Sequence, residues 1–181
     1  MHRYAIALAA LAVPLALRAD DKGTSTELDG LKSTAPANWK SEKPVGMNRV
    51  YQFTIPKAEG EKYDSQLLIF QFPGGAGGVE ANIARWKNMV KPAEGTKPED
   101  AYKTSEFKVG DAKVTQFEAA GTYMFKARPM DAEAEPRADH KFVGVIFEGP
   151  KGNTYFMRMV GPAKTMDANR KAFDEWLKNF K

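Results

Sequence analysis

The sequence contains no cysteine, and beyond its first nineteen residues it has a single histidine, His140. The lack of cysteine excludes disulfides, thiolate nucleophiles, iron–sulfur ligation, covalent haem attachment and lipid attachment at a cysteine. One histidine cannot form a His-rich zinc site, and no serine lies in a Gly-x-Ser-x-Gly elbow. The sequence therefore predicts no catalytic residue, no metal site and no cofactor.

Long apolar runs are also absent, except at the beginning of the chain. Residues 1–3 form a short basic start, residues 4–17 are almost wholly apolar, and Ala19 is followed by acidic residues. A run of this length is typical of a secretory signal peptide, because a membrane span needs about 20 apolar residues. We expect residues 1–19 to be a signal peptide and residues 20–181 to be one domain. The mature protein would then be periplasmic or secreted, with no integral membrane span.

Charge of neither sign dominates the chain. The net charge of +4 includes Arg3 and Arg18, so loss of the predicted signal peptide lowers it to +2. The charges are interspersed, and nothing resembles a basic nucleic-acid arm. We therefore expect no nucleic-acid partner, which leaves an unknown small molecule or an envelope protein. Without disulfides the domain must rely on a hydrophobic core, which its aromatic residues and methionines can supply.

Alternating apolar residues and turn residues predict a series of short strands joined by short turns. The predicted extended segments are 32–35, 38–42, 49–55, 66–72, 106–109, 112–119, 122–126, 141–148 and 154–160. Helical spacing predicts one helix from Val79 to Lys91 and a second that begins at Thr165. The polar segment 20–26 is predicted to be frayed, and 127–139 to be a long surface loop. Short turns favour antiparallel pairing, so we predict an α+β fold: a mainly antiparallel sheet with two amphipathic helices on one or on opposite faces.

A glycine cluster between a predicted strand and the first helix is the main candidate site. Gly-rich turns before a helix bind phosphates through free amides and the helix dipole. Here Gly78 is followed by Val79 and Glu80, so a P-loop ending is missing and the Glu80 charge would repel an anion. The cluster is either a tight or flexible connection or a ligand-contacting loop, to which Arg85 would add positive charge. The candidate ligand-binding residues are Gly74, Gly75, Gly77, Gly78, Arg85, Tyr123 and Arg158.

Arg158 lies between two methionines in a predicted strand. Met157 and Met159 share one face of that strand, where methionines are typical of a core rather than of a copper site with His140. Arg158 then points to the other face, where it either meets carboxylates such as Glu148 or lines a groove. His140 lies beside the polar loop and is predicted to be solvated.

Five short segments, in this order, resemble a family of small exported proteins common in planctomycetes and related bacteria. They are 35–39 (APANW), 47–56 (MNR with Phe53 and Pro56), 77–86 (GGVEANIARW), 121–123 (GTY) and 161–165 (GPAKT). The resemblance implies no activity and no catalytic residue. More loosely, the strand and helix order is similar to the Mog1/PsbP type, which implies an α/β/α sandwich. A fold of that type does not carry a function with it.

Two function hypotheses follow. The first is a non-enzymatic exported binding or accessory domain. The second is a cofactor-independent hydrolase that uses carboxylate or arginine residues in a cleft. Converging carboxylates with shifted pKa values would favour the second hypothesis, and a shallow apolar or mixed surface would favour the first. Trp39 is left open between a core residue and a platform for stacking a ligand.

Overall fold

The computed structural model describes residues 22–72, 76–128 and 130–181, within which the chain forms ten strands and three helices. The predicted signal peptide lies outside these ranges. The strands are β1 (Ser25–Leu28), β2 (Leu31–Thr34), β3 (Lys40–Glu42), β4 (Arg49–Ile55), β5 (Ser65–Gln71), β6 (Val90–Lys91), β7 (Tyr102–Val109), β8 (Ala112–Phe125), β9 (Glu135–Glu148) and β10 (Thr154–Pro162). The helices are α1 (Gly78–Lys87), α2 (Pro98–Ala101) and α3 (Ala163–Lys178).

Eight strands form one sheet in the order β3-β4-β5-β10-β9-β8-β6, and β7 also pairs with β8. Every pair in this sheet is antiparallel. Tight turns such as Gly110-Asp111, between β7 and β8, reverse the chain so that neighbouring strands pair directly. Strands β1 and β2 form a separate two-stranded sheet. The predicted α+β class with a mainly antiparallel sheet is confirmed.

The prediction of a turn at Gly121 is wrong, because β8 continues through it to Phe125. Gly121 has a φ of 148°, and the pairing register with β9 shifts between it and Tyr123. A Cβ atom on Gly121 would lie 2.1 Å from the Lys91 carbonyl oxygen. Glycine is therefore required here by the close approach of β6, and the shift bends the distal part of β8.

The predicted surface loop 127–139 is also shorter than expected, because β9 begins at Glu135. Pro136 pairs with Met124 of β8, and Glu135 pairs with Phe125. Backbone pairing with β8 orders this segment although it has few apolar side chains to bury. A sequence-based expectation that depends on apolar content alone misses such an extension.

One face of the sheet carries the larger core, which is covered by α3 and by the β1–β2 hairpin. Met157, Met159 and Trp176 are all buried in it, which confirms their predicted core positions. Trp39 is buried there too, 2% exposed, and its indole N–H donates to Asn169 Oδ1 at 3.0 Å. Trp39 is therefore a core residue and offers no platform for stacking a ligand.

The opposite face carries a second core under α1. Trp86 packs among Phe117 and Phe142, with ring centroids 6.1 and 5.9 Å away. A Cβ atom on Gly144 would lie 2.4 Å from the Trp86 ring, so glycine lets the helix approach β9 closely. Residues alternate between faces along a strand, so α1 and α3 lie on opposite faces of the sheet.

Fraying was predicted for residues 20–26, but the described part of that segment, from residue 22, leads into the ordered strand β1. Thr26 is fully buried, and its hydroxyl accepts a hydrogen bond from Trp176 Nε1 at 3.0 Å and donates to the Ser33 carbonyl at 2.9 Å. The Asp29 carboxylate accepts from the backbone N–H of Lys151 and from the side chain of Asn153. Long-range hydrogen bonds therefore attach the β1–β2 hairpin to α3 and to the turn between β9 and β10.

Both predicted helices form, but with different ends. Helix α1 ends at Lys87, and Val90–Lys91 instead pair with β8 as the short strand β6. Helix α3 begins two residues before Thr165, whose hydroxyl accepts the backbone N–H of Ala58 at 2.9 Å instead of capping the helix. No helix within the described ranges has the length and hydropathy needed to span a membrane.

Candidate functional site

A groove opens on the α1 face of the sheet, beside the second core, over the parts of β4, β5 and β10 that line it. Arg158 pairs with Leu68, and Leu68 pairs with Gln52, so these three side chains form one row across the three strands. Arg158 points away from the methionine face, as the alternation predicted. The distal part of β8 forms the facing wall, and the groove encloses about 380 Å³.

Arg158 is largely buried on the floor of this groove. Its guanidinium lies over the Phe70 ring at 4.9 Å, and its Nη1 donates to the Met89 sulfur at 3.8 Å. A thioether is a weak acceptor for a charged donor. Burial lowers the pKa of Arg158; the interaction with Tyr123 opposes this, and the Arg49 charge adds to it. Arg158 is therefore a desolvated cation whose charge is met by aromatic neighbours and a thioether but by no carboxylate among the described residues.

Arg49, at the beginning of β4, lies against the same aromatic ring. Its guanidinium is 5.3 Å from the Phe70 centroid, and its Nη1 donates to Gln52 Oε1 at 2.6 Å. Its Nε is buried without a hydrogen-bond partner, and burial lowers the pKa of the guanidinium. Among the described residues, no carboxylate lies within 4.0 Å of either Arg49 or Arg158. Arg49 is not among the site residues predicted from the sequence, where its only signal is a cation at the start of an otherwise amphipathic strand.

The wall of the groove comes from the end of β8 and the residues after it. Tyr123, Met124, Phe125 and Lys126 line it, and the backbone N–H of Met124 donates to the Met89 carbonyl at 2.8 Å. Burial raises the pKa of Tyr123, although the positive charges nearby oppose that rise. The structure thus brings Tyr123 and Arg158, two of the predicted site residues, into one groove.

A smaller cavity of about 100 Å³ continues beyond Tyr123 toward His140 and Arg137. Arg137 lies over the rings of Phe125 (3.5 Å) and Tyr63 (4.0 Å), and it pairs with Glu135 at 2.9 Å. The Tyr63 hydroxyl donates to the same carboxylate at 2.7 Å. This cluster attaches the tip of the β8–β9 hairpin to the start of β5, so it supports the wall of the groove.

His140 is buried, and the prediction that it is solvated is wrong. It is 5% exposed, its ring stacks on Tyr123 with centroids 6.2 Å apart, and its Nδ1 is 2.7 Å from the Ala138 carbonyl oxygen. Burial lowers the pKa of the imidazole. Pairing of 135–139 with β8 carries His140 under the aromatic cluster, which the polar neighbouring sequence could not indicate.

The glycine turn lies at the other end of α1. Gly77 and Gly78 have φ values of 89° and 81°, a left-handed conformation that explains why glycine is needed. The side chains of Arg85 and Asn82 both donate to the Ala76 carbonyl, so the turn is closed by its own helix. Gly74 and Gly75 lie outside the described residues. Ten helical residues span about 15 Å, which separates this turn from Met89 and the groove.

A second cleft, of about 430 Å³, lies between α3 and β8 and contains carboxylates. Arg170 of α3 pairs with Glu118 at 2.8 Å and with Asp174 at 3.0 Å. The hydrogen bond from Arg170 lowers the pKa of Glu118 and, reciprocally, raises that of Arg170. A general acid needs a raised pKa, so this cluster is arranged as an ion-pair network that positions α3. Within the described ranges, no group of three or more His, Asp or Glu side chains could hold a metal ion.

Comparison with known proteins gives a structural likeness only. No protein-family model matches the chain, and no curated protein matches it. The fold is similar to the solution structure of cyanobacterial PsbP (CyanoP) from Synechocystis, with a TM-score of 0.47 and 10% sequence identity. The match covers 95% of this chain and 97% of that one. A likeness at this level assigns no residue and no activity.

Proposed function

We propose that this protein is an exported, non-enzymatic binding domain whose groove holds the anionic group of a small molecule. The observation that carries the proposal is the pair of guanidinium groups, Arg49 and Arg158, both packed on the Phe70 ring. Two like charges that pack on the same aromatic ring and are partly withdrawn from water raise the free energy of the folded state. A bound anion would offset that cost.

The chemistry of the lining supports binding rather than catalysis. The described residues around the groove supply arginine, glutamine, tyrosine, lysine and apolar side chains, without a carboxylate or a serine. Guanidinium groups bind carboxylate and phosphate oxygens through charge-assisted, often paired hydrogen bonds. The Nε–H of Arg49 is a buried donor without an acceptor in the described part of the chain, which adds to the cost of the free site. These groups can hold and orient an anion but offer no general base in the same place.

The test is titration of the isotope-labelled protein with inorganic phosphate and acetate at low ionic strength, followed through the arginine Nε–H signals. We expect the Arg49 and Arg158 signals to shift with saturation. Arg158→Gln should weaken binding about tenfold or more, because hydrogen bonds to charged groups contribute about 1.5–3 kcal/mol. Lys171→Gln is the matched control, since it removes one positive charge from the exposed side of α3.

Arg85→Gln tests the alternative that the glycine turn binds the ligand. Loss of binding in Arg85→Gln with retention in Arg158→Gln would move the site to the start of α1 and overturn the groove. If no arginine signal shows a saturating shift in the wild-type protein or in the variants, anion binding is overturned altogether.

Export is the other part of the proposal, and the apolar run at residues 4–17 supports it. Residues 1–19 would be removed, and the mature domain would act in the periplasm or outside the cell, in keeping with the resemblance to small exported proteins. Intact-mass measurement of protein recovered from the envelope or the medium tests this. A mass equal to that of the full chain would contradict it.

A further inference from the structure

The groove is chemically divided, and the division indicates what kind of anion it takes. Arg49 and Arg158 lie on its floor, while Leu68, Met89, Met124 and Phe125 give it apolar surface. Leu68 is only half-buried although β5 has a strand on each side. A sheet face this far from the edge is usually covered by a helix, and here α1 does not reach it.

We infer that the occupant is a small amphiphile, an oxyanion joined to an apolar chain or ring, with its charged head at Arg49 and Arg158 and its apolar part against Leu68 and Met124. This inference rests on the proposed anion-binding function and adds the class of ligand. A bare inorganic anion would satisfy the arginines but leave the apolar surface exposed to water. Carboxylate and phosphate heads share the required chemistry, because the guanidinium fork fits both.

The methionines suit an apolar part of variable shape. Met89 and Met124 are both half-buried and line the groove as neighbours, because the Met124 N–H donates to the Met89 carbonyl. Methionine side chains are unbranched and polarizable, so they adapt to irregular apolar partners. The Met89 sulfur now in contact with Arg158 would be replaced there by a ligand oxygen, which is a far better acceptor.

Strongly exposed apolar side chains lie close in sequence to the groove lining. The large apolar side chains most exposed among the described residues are Val45, Met47 and Met130, which are 68%, 85% and 93% exposed. Met47 lies two residues before Arg49, and Met130 lies three residues after Ala127, another lining residue. The chain cannot span more than about 3.6 Å per residue, which places these backbones within about 7 and 11 Å of the groove lining. Met47 and Met130 are thus within reach of an apolar part that protrudes from the groove.

The experiment compares ligands that differ in one part at a time, measured by calorimetry on the intact mature protein. The probes are inorganic phosphate for the head alone, hexyl phosphate and hexanoate for head and chain, and hexanol for the chain alone. We expect hexyl phosphate to bind at least tenfold more tightly than inorganic phosphate, since each buried methylene contributes about fourfold. Hexanol should show no saturable binding. The ratio of hexanoate to hexyl phosphate then identifies the preferred head.

Two variants separate the parts of the site. Leu68→Asn should lower the affinity for hexyl phosphate at least fivefold while leaving inorganic phosphate unchanged, and Arg158→Gln should weaken both. Met124→Gln, which keeps the side-chain shape, replaces Leu68→Asn if that variant loses cooperative unfolding. Equal affinity for inorganic and hexyl phosphate would overturn the amphiphile and leave the anion site standing. Absence of binding by every anionic probe would overturn both.

Discussion

Replacement of Trp176 by alanine tests whether α3 is docked as the structure shows. Trp176 is 2% exposed, and its ring centroid lies 6.0 Å from that of Trp39, 5.8 Å from Phe173 and 5.2 Å from Phe180. Its indole N–H donates to the hydroxyl of the fully buried Thr26. The substitution therefore leaves a cavity at the centre of the larger core and removes one buried hydrogen bond.

The expected loss of stability is large. Truncation of a buried tryptophan to alanine costs about 3–5 kcal/mol, within a total of about 5–15 kcal/mol for a domain. The Thr26 hydroxyl keeps its own hydrogen bond to the Ser33 carbonyl, so the lost indole bond adds at most about 1 kcal/mol. For a domain of this size each kcal/mol lowers Tm by about 2–4 °C. We therefore expect a fall in Tm of about 6–24 °C.

Urea unfolding followed by circular dichroism measures the effect without depending on the fluorescence of the residue removed. Trp176→Phe is the companion variant: it keeps an aromatic ring but lacks the N–H, so it should recover most of the stability. Lys171→Ala, on the exposed side of the same helix, should change stability by less than about 0.5 kcal/mol. A loss below about 1 kcal/mol for Trp176→Ala would refute the packing of α3 against the sheet.

Three further predictions concern other parts of the molecule. Gly144→Val should destabilise the protein by about 1–3 kcal/mol, because the new side chain would collide with Trp86, and urea midpoints check this. Because burial lowers the pKa of His140, the unfolded chain binds a proton at this residue at higher pH than the folded protein does. The stability that neutral His140 confers is therefore complete above the ordinary pKa of about 6.5. It is lost as the pH falls through the lower pKa of the folded state. His140→Gln should flatten that decline between pH 7 and 5, and equal slopes in the two proteins would contradict it. The Glu135 carboxyl should titrate at a pKa of about 2, because hydrogen bonds from Arg137 and Tyr63 favour its charged form. Titration followed through its carboxyl carbon signal checks this, and in Arg137→Gln the midpoint should rise toward the ordinary value of about 4.3.

Much of the fold could be predicted because strand alternation is a local property. The segment 49–55 was predicted as a strand and is β4 to the residue, and the hairpin formed by β9 and β10 was predicted from its two apolar runs and the turn between them. The alternation also placed Met157 and Met159 on one face and Arg158 on the other, which the structure confirms. An alternation with a period of two residues can be recognised from adjacent residues alone, without knowledge of the rest of the fold.

The errors share one cause, which is that they concern contacts between distant segments. His140 is buried, Thr26 is fixed by α3, and 135–139 continue as a strand, because partners far along the chain supply the contacts. Polar composition around a residue describes its neighbours in sequence and not those in space. The glycine cluster was a strong local signal, and at Gly77 and Gly78 it proves to reflect backbone conformation.

The candidate groove also depends on contacts between distant segments of the chain. Arg49 and Arg158 lie on strands β4 and β10, which β5 separates, and they share one site only because both pack on Phe70 of β5. By itself the sequence determined the fold class, most strand positions, the core face of β10 and the expectation of export, since each depends on periodicity or composition within a short window. Only the tertiary structure decided which charges are desolvated together and which apolar surface is left uncovered, because strand order and helix placement are set by burial summed over the whole chain.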